Sequence, residues 1–80
     1  MAEDTAERVR KVIANILKVP VERVVPTAHF VRDLGMESTR SMELIAALEE
    51  EFNVEIDTDS VADILTVEKS IAYMKKAVGG

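Results

Sequence analysis

Eighty residues with 48% apolar content, a net charge of −5 and no cysteine describe one small domain that buries its core without disulfides. The lack of cysteine also excludes a thiolate metal site. Three aromatics, Phe30, Phe52 and Tyr73, are too few for a typical β-sandwich or barrel, or for stacking nucleic-acid bases.

The charge is unevenly spread. Residues 1–36 carry six basic and five acidic side chains. Residues 37–63 carry one basic residue, Arg40, against nine acidic ones. Residues 64–80 return to a small positive excess, with three lysines and one glutamate. Such an acidic block repels phosphate backbones and suits a steered protein partner; its plainer use is a solvated surface. No apolar run approaches the ~20 residues that cross a bilayer, and the N-terminus has no signal-like pattern. A soluble, cytoplasmic protein is the expectation.

In chain order, residues 4–18 predict an amphipathic helix. Asp4 is its cap and Glu7 completes a capping-box pattern. Ala6, Val9, Val12, Ile13, Ile16 and Leu17 form its apolar stripe. Pro20 disfavours continuation. Residues 19–37 predict a long connection with a short helical turn near 21–24. It is anchored on the bundle by Val21, Val24, Val25, Phe30, Val31 and Leu34. Residues 38–52 predict the clearest helix. Ser38 is its N-cap, Met42, Ile45, Leu48 and Phe52 are its stripe, and Leu44 and Ala47 widen that stripe. Val54 and Ile56 are anchors beyond Asn53. A short helix is expected over 59–64, burying Val61 and Ile64. Thr66 caps a last helix over 67–77, with Val67, Ile71, Met74 and Val78 on one stripe and Ala72 beside it. Gly79-Gly80 reads as a frayed tail. Ubiquitin-like chains end in such a pair, but they need strand periodicity, and this chain has helical periodicity. The fold class is all-α: a four-helix bundle over residues 1–80, with three longer helices, one short helix and a long first loop.

Asp33-Leu34-Gly35-Met36-Glu37-Ser38 is the segment that bears on function. A glycine permits a tight turn, and the turn delivers a serine to a helix start. Such a hydroxyl is ordinarily a cap. It is also placed to carry a phosphate, which the free N–H groups of a helix start favour. His29, Asp33 and Ser38 contain triad residue types, but a small helical bundle offers no visible oxyanion hole. No catalytic residue is assigned, and His29 reads as a surface or packing histidine. Asp57-Thr58-Asp59-Ser60 lacks the glycine and distal glutamate of a calcium loop, so no metal site is assigned either.

Asp33-Leu34-Gly35 followed three residues later by Ser38 resembles the acyl carrier protein signature, Asp-Leu-Gly-x-Asp-Ser-Leu. Glu43-Leu44 and Ala47-Leu48-Glu49-Glu50-Glu51-Phe52 resemble the bacterial type II form, and the likeness extends from the first helix to Tyr73. The resemblance implies a non-enzymatic carrier. Ser38 would hold 4′-phosphopantetheine, taken from coenzyme A, with acyl groups riding on it as thioesters for fatty-acid or related specialised acyl biosynthesis. Asp33, Gly35, Glu37 and Thr39 would flank that site. Glu43, Glu49, Glu50 and Arg40 would meet partners: a phosphopantetheinyl transferase and acyl-processing enzymes with basic docking patches. Glu37-Ser38-Thr39 departs from the usual Asp-Ser-Leu, and Arg40 stands where the family is commonly acidic or neutral. These departures point to a specialised carrier dedicated to one pathway. Two other readings share the fold: a polyketide or peptide-synthetase carrier, and an unmodified helical interaction module of carrier ancestry.

Overall fold

The computed structural model describes residues 4–57 and 64–79, and of Ser38 the main chain. Helix α1 spans Thr5–Leu17, α2 spans Ser41–Phe52 and α3 spans Val67–Ala77. Two 3-10 turns, Val21–Arg23 and Ser38–Arg40, lie in the connection between α1 and α2. Helix α1 is the element against which both other helices pack.

The ends of the helices follow from their capping residues. Asp4 stays extended, and its Oδ1 accepts the Glu7 N–H at 2.8 Å. Glu7 turns its own carboxylate to Arg10, at 3.0 Å, so the predicted capping box is realised on the aspartate side. Helix α1 stops at Lys18 in the left-handed region, where the Val19 N–H returns to the Ala14 carbonyl at 3.1 Å. Asn53 ends α2 in the same way, with φ 53°. Thr66 caps α3, its hydroxyl accepting the Lys69 N–H at 3.2 Å.

The long connection is held by main-chain bonds. Phe30 N–H donates to the Leu65 carbonyl and Val67 N–H to the Ala28 carbonyl, both at 3.0 Å, around a single antiparallel bridge between His29 and Thr66. Glu68 N–H donates to the Pro26 carbonyl at 2.9 Å. The connection therefore also satisfies an N–H of the first turn of α3. On the other side, Arg10 reaches out from α1 to the carbonyls of Val24 and Val21, at 2.9 and 3.1 Å. A connection bonded on both sides can be long without being loose.

The core draws on every segment. Val9 and Ile13 of α1 meet Val24, Ala28, Phe30 and Leu34 of the connection, Leu44, Ile45, Leu48 and Phe52 of α2, and Val67 and Met74 of α3. Ile56 and Ile64 close it.

Several expectations are corrected. Met42 is 58% exposed rather than core. The buried face of α2 is centred on Leu44, Leu48 and Phe52, and at 100° per residue Met42 falls to its side. Val25 and Val31 are exposed, because Val24, Ala28, Phe30 and Leu34 supply the anchors of the connection. On α3, Ser70 is buried where Ile71 was expected, and Ile71 is half-buried. Ser70 is tolerated there because its hydroxyl donates to the Val67 carbonyl at 2.7 Å. Val78 follows the end of α3 and is exposed, as is Ala72. Ser38 does not cap an α-helix: it opens a 3-10 turn, and the position before α2 is Arg40, which makes no side-chain cap bond. The helix expected over 59–64 lies, apart from Ile64, outside the described residues. The described residues thus hold three α-helices and no named strand.

Candidate functional site

The segment from His29 to Arg40 is two linked turns. In the first, the His29 carbonyl accepts the N–H groups of Asp33 and Leu34, at 2.9 and 3.2 Å. The Asp33 carboxylate accepts the His29 N–H at 2.7 Å, and His29 Nδ1 accepts the N–H groups of Val31 and Arg32, both at 3.2 Å. Histidine and aspartate thus clasp the turn from its two ends. Arg23 Nη2 adds a bond to the Asp33 carbonyl at 3.2 Å. Phe30 and Leu34 plant the turn in the core.

Gly35 then reverses the chain. Its φ of 68° is one that residues with a Cβ rarely adopt, although nothing within 4 Å would obstruct a Cβ there. The requirement is conformational rather than spatial. Met36 N–H returns to the Phe30 carbonyl at 2.9 Å, and Arg40 N–H to the Glu37 carbonyl at 2.8 Å, closing the 3-10 turn that Ser38 opens. Glu37, Thr39 and Arg40 are exposed, so the main chain at Ser38 runs along the surface.

The predicted docking residues separate into two kinds. Glu43 and Glu50 are exposed on α2. Glu49 is half-buried, and its Oε2 accepts the Ile56 N–H at 2.7 Å, fastening the chain beyond α2. Arg40 Nη1 lies 3.5 Å from the Ile16 carbonyl at the end of α1 and 3.8 Å from Glu43 Oε2. An open cleft of about 360 Å³, lined by Arg23, Val25, Thr27, Ala28, Asp33 and Leu34, borders the first turn. Among the described residues no group of three or more histidines and carboxylates could hold a metal ion.

Sequence reasoning missed His29 as a turn residue. A ring four positions before an aspartate was the available signal, and it is a weak one. It also missed Arg23, whose contact with Asp33 depends on how the connection folds back on itself.

The architecture is that of an all-α carrier domain: a short bundle with a long, pinned connection that brings one surface turn to the start of a helix. Residues 7–74 match the PP-binding family, described as the phosphopantetheine attachment site, and the chain belongs to that family. Its members are non-catalytic carriers that bind covalently attached 4′-phosphopantetheine and interact with modifying and acyl-processing enzymes. This protein is accordingly a carrier of a phosphopantetheine arm rather than an enzyme. Among the described residues no helix is long and apolar enough to cross a membrane.

The residues present fit such a group. A phosphodiester on a serine needs that serine at the surface. Ser70 is excluded, being 1% exposed with its hydroxyl committed to Val67. The main-chain turn at Ser38 lies between exposed Glu37 and exposed Thr39.

Proposed function

We propose that Ser38 is the attachment point of the phosphopantetheine arm, and that the protein serves fatty-acid or related specialised acyl biosynthesis as a dedicated carrier of bacterial type II character. The observation that supports this most is the turn itself: Gly35 at φ 68° joins a clasped His29–Leu34 loop to a 3-10 turn that begins at Ser38. When bound, the arm supplies a thiol on which acyl groups ride as thioesters. The chain's own part is mechanical and electrostatic. Asp33, His29 and Gly35 set the path of the main chain into Ser38. Helix α2 gives a stiff base, and exposed Glu43 and Glu50 offer charge to basic docking patches on the transferase and acyl-processing enzymes. The absence of cysteine leaves the arm's thiol as the single thiol of the loaded protein. In this reading the protein works as a monomer in the cytoplasm.

Incubation of the purified protein with coenzyme A and each of several phosphopantetheinyl transferases, followed by intact mass measurement, tests the assignment. The expected result is one arm added, lost in Ser38→Ala and retained in Ser41→Ala. An arm that still adds to Ser38→Ala, or that adds under no transferase, overturns it.

A further inference from the structure

Between Arg32 and Lys69 the chain carries a single basic residue, Arg40, against eleven carboxylates. That one cation stands two residues after Ser38, in the turn that precedes α2. Its side chain is 45% exposed. It is also held in place. Its guanidinium lies 3.5 Å from the Ile16 carbonyl, at the end of a helix that has no basic residue in its own last turn. It lies 3.8 Å from Glu43, the most N-terminal carboxylate of α2. Beside Ser38 a partner therefore meets exposed Glu37 on one side and the Arg40–Glu43 pair on the other, with Glu50 exposed further along α2.

We propose that Arg40 selects partners by charge: it favours an enzyme whose docking face sets a carboxylate opposite residue 40 and basic groups opposite Glu43 and Glu50, and it penalises one whose face is basic throughout. This rests on the reading of Ser38 as the attachment point. A like charge at an interface costs affinity and slows association, and the effect weakens as salt screens it. The contacts with the Ile16 carbonyl and Glu43 bias the guanidinium toward this place, and its charge stays beside Ser38 when a cationic surface approaches. The same contacts make it a positioning residue for the Ser38 turn, so charge and position must be separated experimentally.

The test uses the full chain, coenzyme A and a transferase whose docking face is uniformly basic. Wild type, Arg40→Lys, Arg40→Gln and Arg40→Glu are compared by KM for the carrier at low salt, with Ser38→Ala as the control for the site and thermal melts as the control for the fold. The expected order of KM follows charge: Lys equals wild type, Gln lies lower and Glu lowest, about five-fold below wild type, with the spread shrinking at high salt. A KM in Arg40→Glu that stays within two-fold of wild type, while the arm still adds at Ser38, overturns the selector and leaves the attachment reading standing. A KM that rises equally in the Lys, Gln and Glu variants alongside lowered melting temperatures also overturns it, since that pattern belongs to the Ile16 tether alone. No arm on any variant that melts like wild type, with this and every other transferase tried, refutes the attachment reading, and the selector with it.

Discussion

The guanidinium carbon of Arg8 lies 4.4 Å from the centroid of the Phe52 ring. The same side chain donates to the Glu51 carbonyl at 2.7 Å and to the Glu51 carboxylate at 3.1 Å. One arginine on α1 thus closes the far end of α2, taking up a carbonyl of its last turn and covering its terminal aromatic.

Arg8→Ala is expected to destabilise the fold by about 1–2 kcal/mol, from a charge-assisted bond and a cation–π contact, both discounted because the site is partly exposed. Arg8→Lys recovers only part of this, since an ammonium cannot stack on Phe52 and bond Glu51 twice in one geometry. Urea unfolding followed by circular dichroism measures both.

His29→Ala removes the acceptor for two main-chain N–H groups and is expected to cost roughly 1–2 kcal/mol. Hydrogen exchange at Val31 and Arg32 should quicken in that variant. His29→Asn, whose short amide oxygen can take the place of Nδ1, should restore protection. Equal exchange in wild type and His29→Ala would refute the clasp.

Gly35→Ala should lower stability by about 1 kcal/mol and no more, because the cost is the left-handed φ and no neighbour must move. In a domain of this size that corresponds to a melting temperature lower by about 4–8 °C. Gly35→Asn, which tolerates that region better, should fall between.

Glu49 and Glu43 should behave differently although both are carboxylates on α2. Glu49→Ala loses the acceptor of the Ile56 N–H and is expected to cost about 1–2 kcal/mol in unfolding experiments. Glu43→Lys should leave the unfolding midpoint within about 0.5 kcal/mol while slowing transfer by a basic partner at low salt. Unchanged transfer at low salt would remove Glu43 from the docking face.

Periodicity and capping chemistry, both local, made α1 and α3 legible. Asp4 and Thr66 cap as their side chains allow, and the apolar spacing of Val9 and Ile13 demands a buried face in any packing. The turn at Gly35 was legible for the same reason, since a glycine in that setting is a local signal. The start of α2 was not. Both an α-helix and a 3-10 turn accept Ser38-Thr39-Arg40, and the choice rests on the Glu37–Arg40 bond at 2.8 Å. Met42 was misplaced because a stripe through 42, 45 and 48 and one through 44, 48 and 52 are both helical, and only the neighbours across the bundle choose between them.

Sequence alone determined that this chain is helical and that an acidic helix follows a glycine-turn serine, because those properties depend on residues close along the chain. Tertiary structure decided which side chains hold the long connection and the far end of α2. Arg10 on Val21 and Val24, Arg23 on Asp33, Arg40 on Ile16 and Arg8 on Glu51 all join positions ten or more residues apart. An arginine can reach any carbonyl brought within its length, so its partner is known only once the helices have packed.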